Sequence, residues 1–177
     1  MEKQPISSKS WLASLQEALK NLQPSDRPIR IAVVGVGNEL NGDDMAGIVL
    51  ARQLSQLAEG KDNLLVVDAG PAPENISGYL RRFGPDLVVM VDAAQMSEPP
   101  GAVGWLRWQD TAGLSASTHT LPLHMFATYL TAELGCEMAL IGIQPAHNAV
   151  DGPLSPEVGE AIRATIEELT RVFASIT

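Results

Sequence analysis

Two patterns of apolar positions alternate along this chain. Short unbroken runs have the length and uniformity of strands buried on both faces: Ile31-Ala32-Val33-Val34-Gly35-Val36, Leu64-Leu65-Val66-Val67, Leu87-Val88-Val89-Met90-Val91 and Met138-Ala139-Leu140-Ile141-Gly142-Ile143. Between them, apolar residues recur every three or four positions, which predicts helices. These are Ala46, Leu50, Leu54 and Leu57; Ile76, Leu80 and Phe83 within 74–83; Leu123, Phe126, Leu130 and Leu134 within 121–134; and Ile162, Ile166, Leu169, Phe173 and Ile176 after about 156. From 102 to 108 the side chains alternate, with Val103, Trp105 and Arg107 opposite Gly104, Leu106 and Trp108, as in an antiparallel edge strand. Asp43 stands where it can cap the helix that follows it. The expected fold is α/β: a twisted, mainly parallel five-stranded sheet with helices on both faces and one antiparallel edge strand.

Upstream of the first strand, Leu12, Leu15, Leu19 and Leu22 fall at helical spacing behind Ser7 or Ser8 as a cap, and 23–28 carries two prolines among short polar residues. Residues 1–28 therefore read as an N-terminal helical extension and linker, and 29–177 as a single α/β domain.

Composition narrows the partners. With 177 residues, 45% of them hydrophobic, the chain can bury one substantial core. A net charge of -9 repels phosphate backbones, so nucleic acid is not an expected partner. Cys136 is the only cysteine, which excludes an internal disulfide and a cysteine-based zinc site and suits the cytoplasm. No apolar run of about 18 residues is present, and Met1-Glu2-Lys3-Gln4-Pro5 leads into no signal-like segment, so membrane insertion is not expected.

In open α/β sheets, ligands bind beyond the carboxyl ends of the strands. There the sequence places Asp43-Asp44 after the first strand, Asp68-Ala69-Gly70 after the second, Asp92 after the third, His119 in the loop after the edge strand, and His147 after the last. Clustered carboxylates repel and raise one another's pKa unless a cation neutralises them. A site of carboxylate plus imidazole suits a borderline divalent ion such as nickel or zinc better than magnesium. Each residue also has an ordinary reading: Asp44 as a complement to the helix dipole, Asp68 and Asp92 as turn formers, His119 and His147 as loop residues, His124 as a solvated helix position and Cys136 as packing.

A glycine loop between strand and helix also suggests dinucleotide binding, but Gly35-Val36-Gly37-Asn38-Glu39-Leu40 lacks the third glycine of that fingerprint. Glu39, Asp43 and Asp44 stand where a pyrophosphate needs bare N–H groups. Neither a zinc-protease H-E-x-x-H nor a serine nucleophile elbow is present.

The motif Gly35-Val36-Gly37-Asn38-Glu39-Leu40-Asn41-Gly42-Asp43-Asp44 resembles the opening motif of the endopeptidases that mature [NiFe] hydrogenases. The likeness continues through Asp68-Ala69-Gly70, Ala72-Pro73-Glu74-Asn75, Val91-Asp92-Ala93, Thr118-His119-Thr120-Leu121-Pro122-Leu123 and Gly142-Ile143-Gln144-Pro145, the second and last of these blocks resembling the branch that serves the formate-hydrogenlyase (hydrogenase 3) type. The resemblance implies an endopeptidase that removes the C-terminal extension from the precursor of a [NiFe] hydrogenase large subunit once nickel is in place. The resemblance further implies that the bound nickel, presented by the substrate, is the recognition element, and that other divalent metals can occupy the site in vitro. The positions matching the family's metal ligands are Asp44, Asp92 and His119. Asp68 is the candidate for orienting water or substrate, and Gly37, Asn38, Asp43 and Gly70 are candidate substrate contacts. Met45 and Ala69 stand where the family often has glycine. They keep open the alternative of a nickel-recognising maturation factor without cleavage activity, beside the nucleotide-binding reading.

Overall fold

In a computed structural model, residues 10–22, 26–110 and 122–176 are described. Five strands form one sheet: β1 (Ile31–Val36), β2 (Leu64–Gly70), β3 (Leu87–Ala93), β4 (Val103–Leu106) and β5 (Glu137–Ile143), in the order β2-β1-β3-β5-β4. β1, β2, β3 and β5 are parallel, and β4 runs antiparallel along β5 at the edge, as the alternation between 102 and 108 predicts.

Successive strand residues go to opposite cores. Ile31, Val33, Val89, Val91 and Ile141 pack on one side with α1 (Trp11–Asn21), α2 (Ala46–Ala58) and α5 (Pro156–Ala174). Ala32, Val34, Val88, Met90 and Leu140 pack on the other with α3 (Ser77–Phe83) and α4 (Leu123–Leu134). The helix expected over 74–83 is a 3-10 turn, Pro73–Ile76, running into α3. Ser10 caps α1, its hydroxyl accepting from the Ala13 N–H at 3.2 Å; Ser7 and Ser8, the expected caps, lie outside the described residues. The N-terminal helix packs into the core of the domain. Leu15 is fully buried and Leu19 nearly so, both within the core shared by α2 and α5.

Beneath the sheet, at the amino ends of β1 and β3, Arg27 holds Asp86 with two parallel bonds of 2.7 Å, and the Arg30 N–H adds a third at 2.7 Å. Burial alone would raise the Asp86 pKa, but the bonds from Arg27 and Arg30 outweigh it and bring it below the ordinary 3.8. A depressed carboxylate contributes stability that is present above its unfolded pKa and lost as pH falls through the folded one. Asp86→Asn should therefore be less stable than wild type at pH 7, by on the order of 1 kcal/mol because water screens the half-exposed Arg27. The gap should close below pH 3.8; parallel urea titrations at the two pH values check this.

Candidate functional site

The carboxyl end of β1 passes into a loop whose backbone is committed internally. The Gly37 N–H donates to the Gly70 carbonyl at 3.1 Å, Asn38 to Asp44 at 3.2 Å, Asn41 to Asn38 at 3.1 Å, Asp43 to His147 at 3.2 Å and Asp44 to Asn41 at 3.1 Å. The Leu40 N–H donates to the Asn38 side-chain oxygen at 3.0 Å. These N–H groups are thus engaged where a pyrophosphate would need them, which disfavours the nucleotide reading. The glycines serve close packing. A Cβ on Gly37, at φ +148°, would lie 1.9 Å from the Asp44 carbonyl oxygen; one on Gly35 would lie 2.1 Å from the Gly47 carbonyl oxygen. Gly37 and Asn38 therefore shape the turn that carries Asp44.

That turn, a 3-10 helix over Gly42–Met45, lies against β3. It puts Asp44 near the end of the strand that carries Asp92. Both carboxylates are buried, 2% and 3% exposed. In β3, Asp92 is in register with Gly142 of β5. Since a Cβ on Gly142 would meet Leu106, Ala94 and Met96, Asp92 looks toward the α3–α4 side of the sheet. His119 lies outside the described residues. Among the described residues no group of three His, Cys, Asp or Glu side chains gathers to hold a metal ion.

Asp43 does something other than cap. No side-chain capping bond is made at the 3-10 turn or at the start of α2. Its carboxylate, fully buried, instead accepts from the N–H groups of Ala146 (2.8 Å), His147 (3.2 Å) and Ser155 (2.7 Å) and from the Ser155 hydroxyl (2.7 Å). Burial would raise its pKa; these bonds outweigh that and lower it. As a substrate contact, therefore, Asp43 has no free face.

Asp68 belongs to a different setting. A bulge shifts the β1–β2 register between Gly35↔Asp68 and Val36↔Gly70, making Ala69 the extra residue. Gly70 adopts φ +58° with open space where a Cβ would stand. Asp68 accepts from the Gly70 N–H at 3.0 Å and from Arg52 Nε of α2 at 2.7 Å, and Arg52 also reaches Glu39 at 2.8 Å. The bonds to Glu39 and then Asp68 raise the Arg52 pKa. Asp68 thus turns to the α2 side while Asp92 turns to the other, so these two carboxylates do not face one ion.

Sequence reasoning missed Arg52 and Ser155, and met Gln144 only as part of a motif, without its role. Gln144, 5% exposed, accepts from the N–H groups of Met96 (2.7 Å) and Glu98 (3.3 Å) and donates to the Gln95 side chain (2.9 Å) and the Pro145 carbonyl (3.2 Å). It pins the segment that follows Asp92. Ser155-Pro156 is readable as a helix start, but nothing local to it points to Asp43.

The sequence profile of the hydrogenase maturation protease family matches residues 48–172. The hydrogenase 3 maturation protease of Escherichia coli is 33% identical over 135 residues, covering 76% of this chain and 85% of that protein. Among solved structures, a [NiFe] hydrogenase maturation protease from Thermococcus kodakarensis superimposes with a TM-score of 0.78 at 30% identity, over 90% of this chain and 97% of the other. The solution structure of an endopeptidase from Escherichia coli gives a TM-score of 0.71 at 30% identity, over 81% and 90%.

Proposed function

The chain belongs to the hydrogenase maturation protease family, and on that premise we propose that it removes the C-terminal extension of a [NiFe] hydrogenase large-subunit precursor, with substrate-borne nickel as the recognition element and Asp44, Asp92 and His119 as the groups that meet it. The observation that carries this reading is the burial of two carboxylates, Asp44 and Asp92, at the ends of neighbouring elements. Buried carboxylates on neighbouring elements favour a cationic partner. His119, outside the described residues, enters as the third on the motif Thr118-His119-Thr120-Leu121-Pro122-Leu123.

In this reading the protein completes the coordination of an ion that arrives with its substrate, so the scissile bond is positioned by metal recognition. A bound divalent ion can polarise a carbonyl or lower the pKa of water; the chain's own residues hold and orient. Leu40 (60% exposed) and Val150 (74% exposed) stand on adjoining loops, joined by the Asp151 N–H donating to the Leu40 carbonyl at 2.7 Å. They offer apolar surface to a polypeptide beside the site. Among the described residues no helix is long and apolar enough to cross a membrane. The single cysteine is buried, and burial pushes its thiol up to about 11; we place the reaction in the cytoplasm, where a lone thiol is ordinary.

The test is incubation with a nickel-loaded large-subunit precursor, following the precursor's mass. Conversion to a shorter chain is expected; a precursor that keeps its mass under a molar excess of the protein contradicts cleavage. In the same assay Asp68→Asn should slow conversion at least about tenfold if the Asp68 charge orients water or substrate. An unchanged rate removes Asp68 from the chemistry.

A further inference from the structure

Asp43 and Asp44 are adjacent, both buried, and engaged differently. The Asp43 carboxylate reaches across the fold to a segment more than one hundred residues away in the chain, Ala146, His147 and Ser155. The contact is two-sided: the Asp43 N–H donates to the His147 carbonyl, and Gly42, at φ +54°, lies so close to the His147 ring that a Cβ there would stand 2.8 Å from Nδ1. A turn held this way has little freedom. The Asp44 N–H is tied to Asn41 and the Asp44 carbonyl accepts from Asn38, so the direction of the Asp44 side chain follows from the placement of its neighbours.

Stability alone is a poor reason for such a clamp. Burying a carboxylate is costly, and well-packed apolar residues of similar volume commonly do as well or better in a protein interior. What the charge supplies is direction, since four donors converging on two oxygens define one orientation. The clamped segment runs over the surface, with Ala146, Ala149, Val150 and Asp151 exposed, and the Asp151 N–H ties it to the same loop through the Leu40 carbonyl.

We propose that Asp43 is a positioning residue: its carboxylate, locked to Ala146, His147 and Ser155, fixes the 3-10 turn so that Asp44 presents its own carboxylate to the substrate. The inference rests on the functional reading above. Asp43→Asn turns one acceptor into an NH2 that faces N–H donors, and should lower the kcat for precursor cleavage by about 10- to 100-fold, the usual effect of losing a partner behind a ligand. The control is Leu19→Ala, which weakens the fold from α1, far along the core from the rim. Assayed where both variants are fully folded, Leu19→Ala should keep kcat within about twofold. Equal losses of kcat in the two variants, or none in Asp43→Asn, overturn the proposal.

If Asp43→Asn does not fold, Ser155→Ala removes one donor of the four. It should lower kcat about threefold to tenfold, with recovery in Ser155→Thr, which keeps the hydroxyl. Failure of the threonine to restore the rate tells against the clamp. Amide hydrogen exchange separates this inference from the functional reading: the Asp44 N–H should exchange at least about tenfold faster in Ser155→Ala than in wild type, and unchanged exchange overturns the inference. Wild type that exchanges as expected but cleaves no precursor refutes the functional reading alone.

Discussion

Replacing Asp92 by asparagine, or Asp44 by alanine, is expected to reduce precursor processing by at least about 100-fold, because loss even of a group one shell behind a metal ligand typically costs 10- to 100-fold. Asparagine at 92 keeps the volume of the aspartate, removes its charge and turns one acceptor oxygen into an NH2. The site at the end of β3 stays packed between Ala93 and the β5 backbone in register with it. The variant should retain a cooperative unfolding transition while losing attraction for a divalent ion. Asp44→Ala should behave alike, since the turn is held by Asp43 and by backbone bonds. Two measurements check this: single-turnover cleavage and thermal unfolding of the same samples. A variant that processes at the wild-type rate takes that residue out of the site. One that no longer unfolds cooperatively shows that its carboxylate is structural.

The second large effect concerns the fold. Gly47→Ala should destabilise the protein by about 3 kcal/mol or more, although alanine is favoured over glycine inside a helix by about 1 kcal/mol. A Cβ at 47 would lie 2.1 Å from the Val91 carbonyl oxygen and 2.4 Å from that of Val36. Both atoms are backbone of central strands, so neither can give way cheaply, and overpacking outweighs propensity. With total stabilities of about 5–15 kcal/mol, such a loss is a large fraction of the whole. Gly159→Ala in α5 supplies the contrast. Its Cβ would meet nothing closer than the Leu154 side chain at 3.7 Å, so propensity should win and stability should rise by up to about 1 kcal/mol. Chemical denaturation of the pair decides it: opposite signs are expected.

Gly47 also shows where sequence reading stops. The strands were legible because residues buried on both faces are mostly apolar, as β1 is throughout and β3 is from Leu87 to Val91. The helices were legible from their apolar spacing, and the antiparallel edge from the alternation at Val103–Leu106. Two glycines of the dinucleotide pattern, Gly35 and Gly37, were visible, but the close helix–strand approach is completed by Gly47, outside any spacing that the pattern prescribes. Asp43 fails for a related reason. A short acidic residue ahead of a helix is a local capping signal, and its actual donors lie at 146, 147 and 155, a pairing that only the packed fold creates. The same holds for Arg52, whose bond to Asp68 joins α2 to the edge strand β2. The rim itself was legible, because the carboxyl ends of parallel strands collect loops. Its division was not: strand alternation sends Asp68 toward α2 and Asp92 toward the opposite face.

The most direct test of the account is a paired reaction in which the protein meets a nickel-loaded and a nickel-free sample of one hydrogenase large-subunit precursor, with the mass of each precursor followed over time. The account predicts release of a C-terminal peptide from the nickel-loaded sample alone. Release at equal rates from both contradicts nickel as the recognition element, and a nickel-dependent complex without release contradicts cleavage while leaving recognition in place.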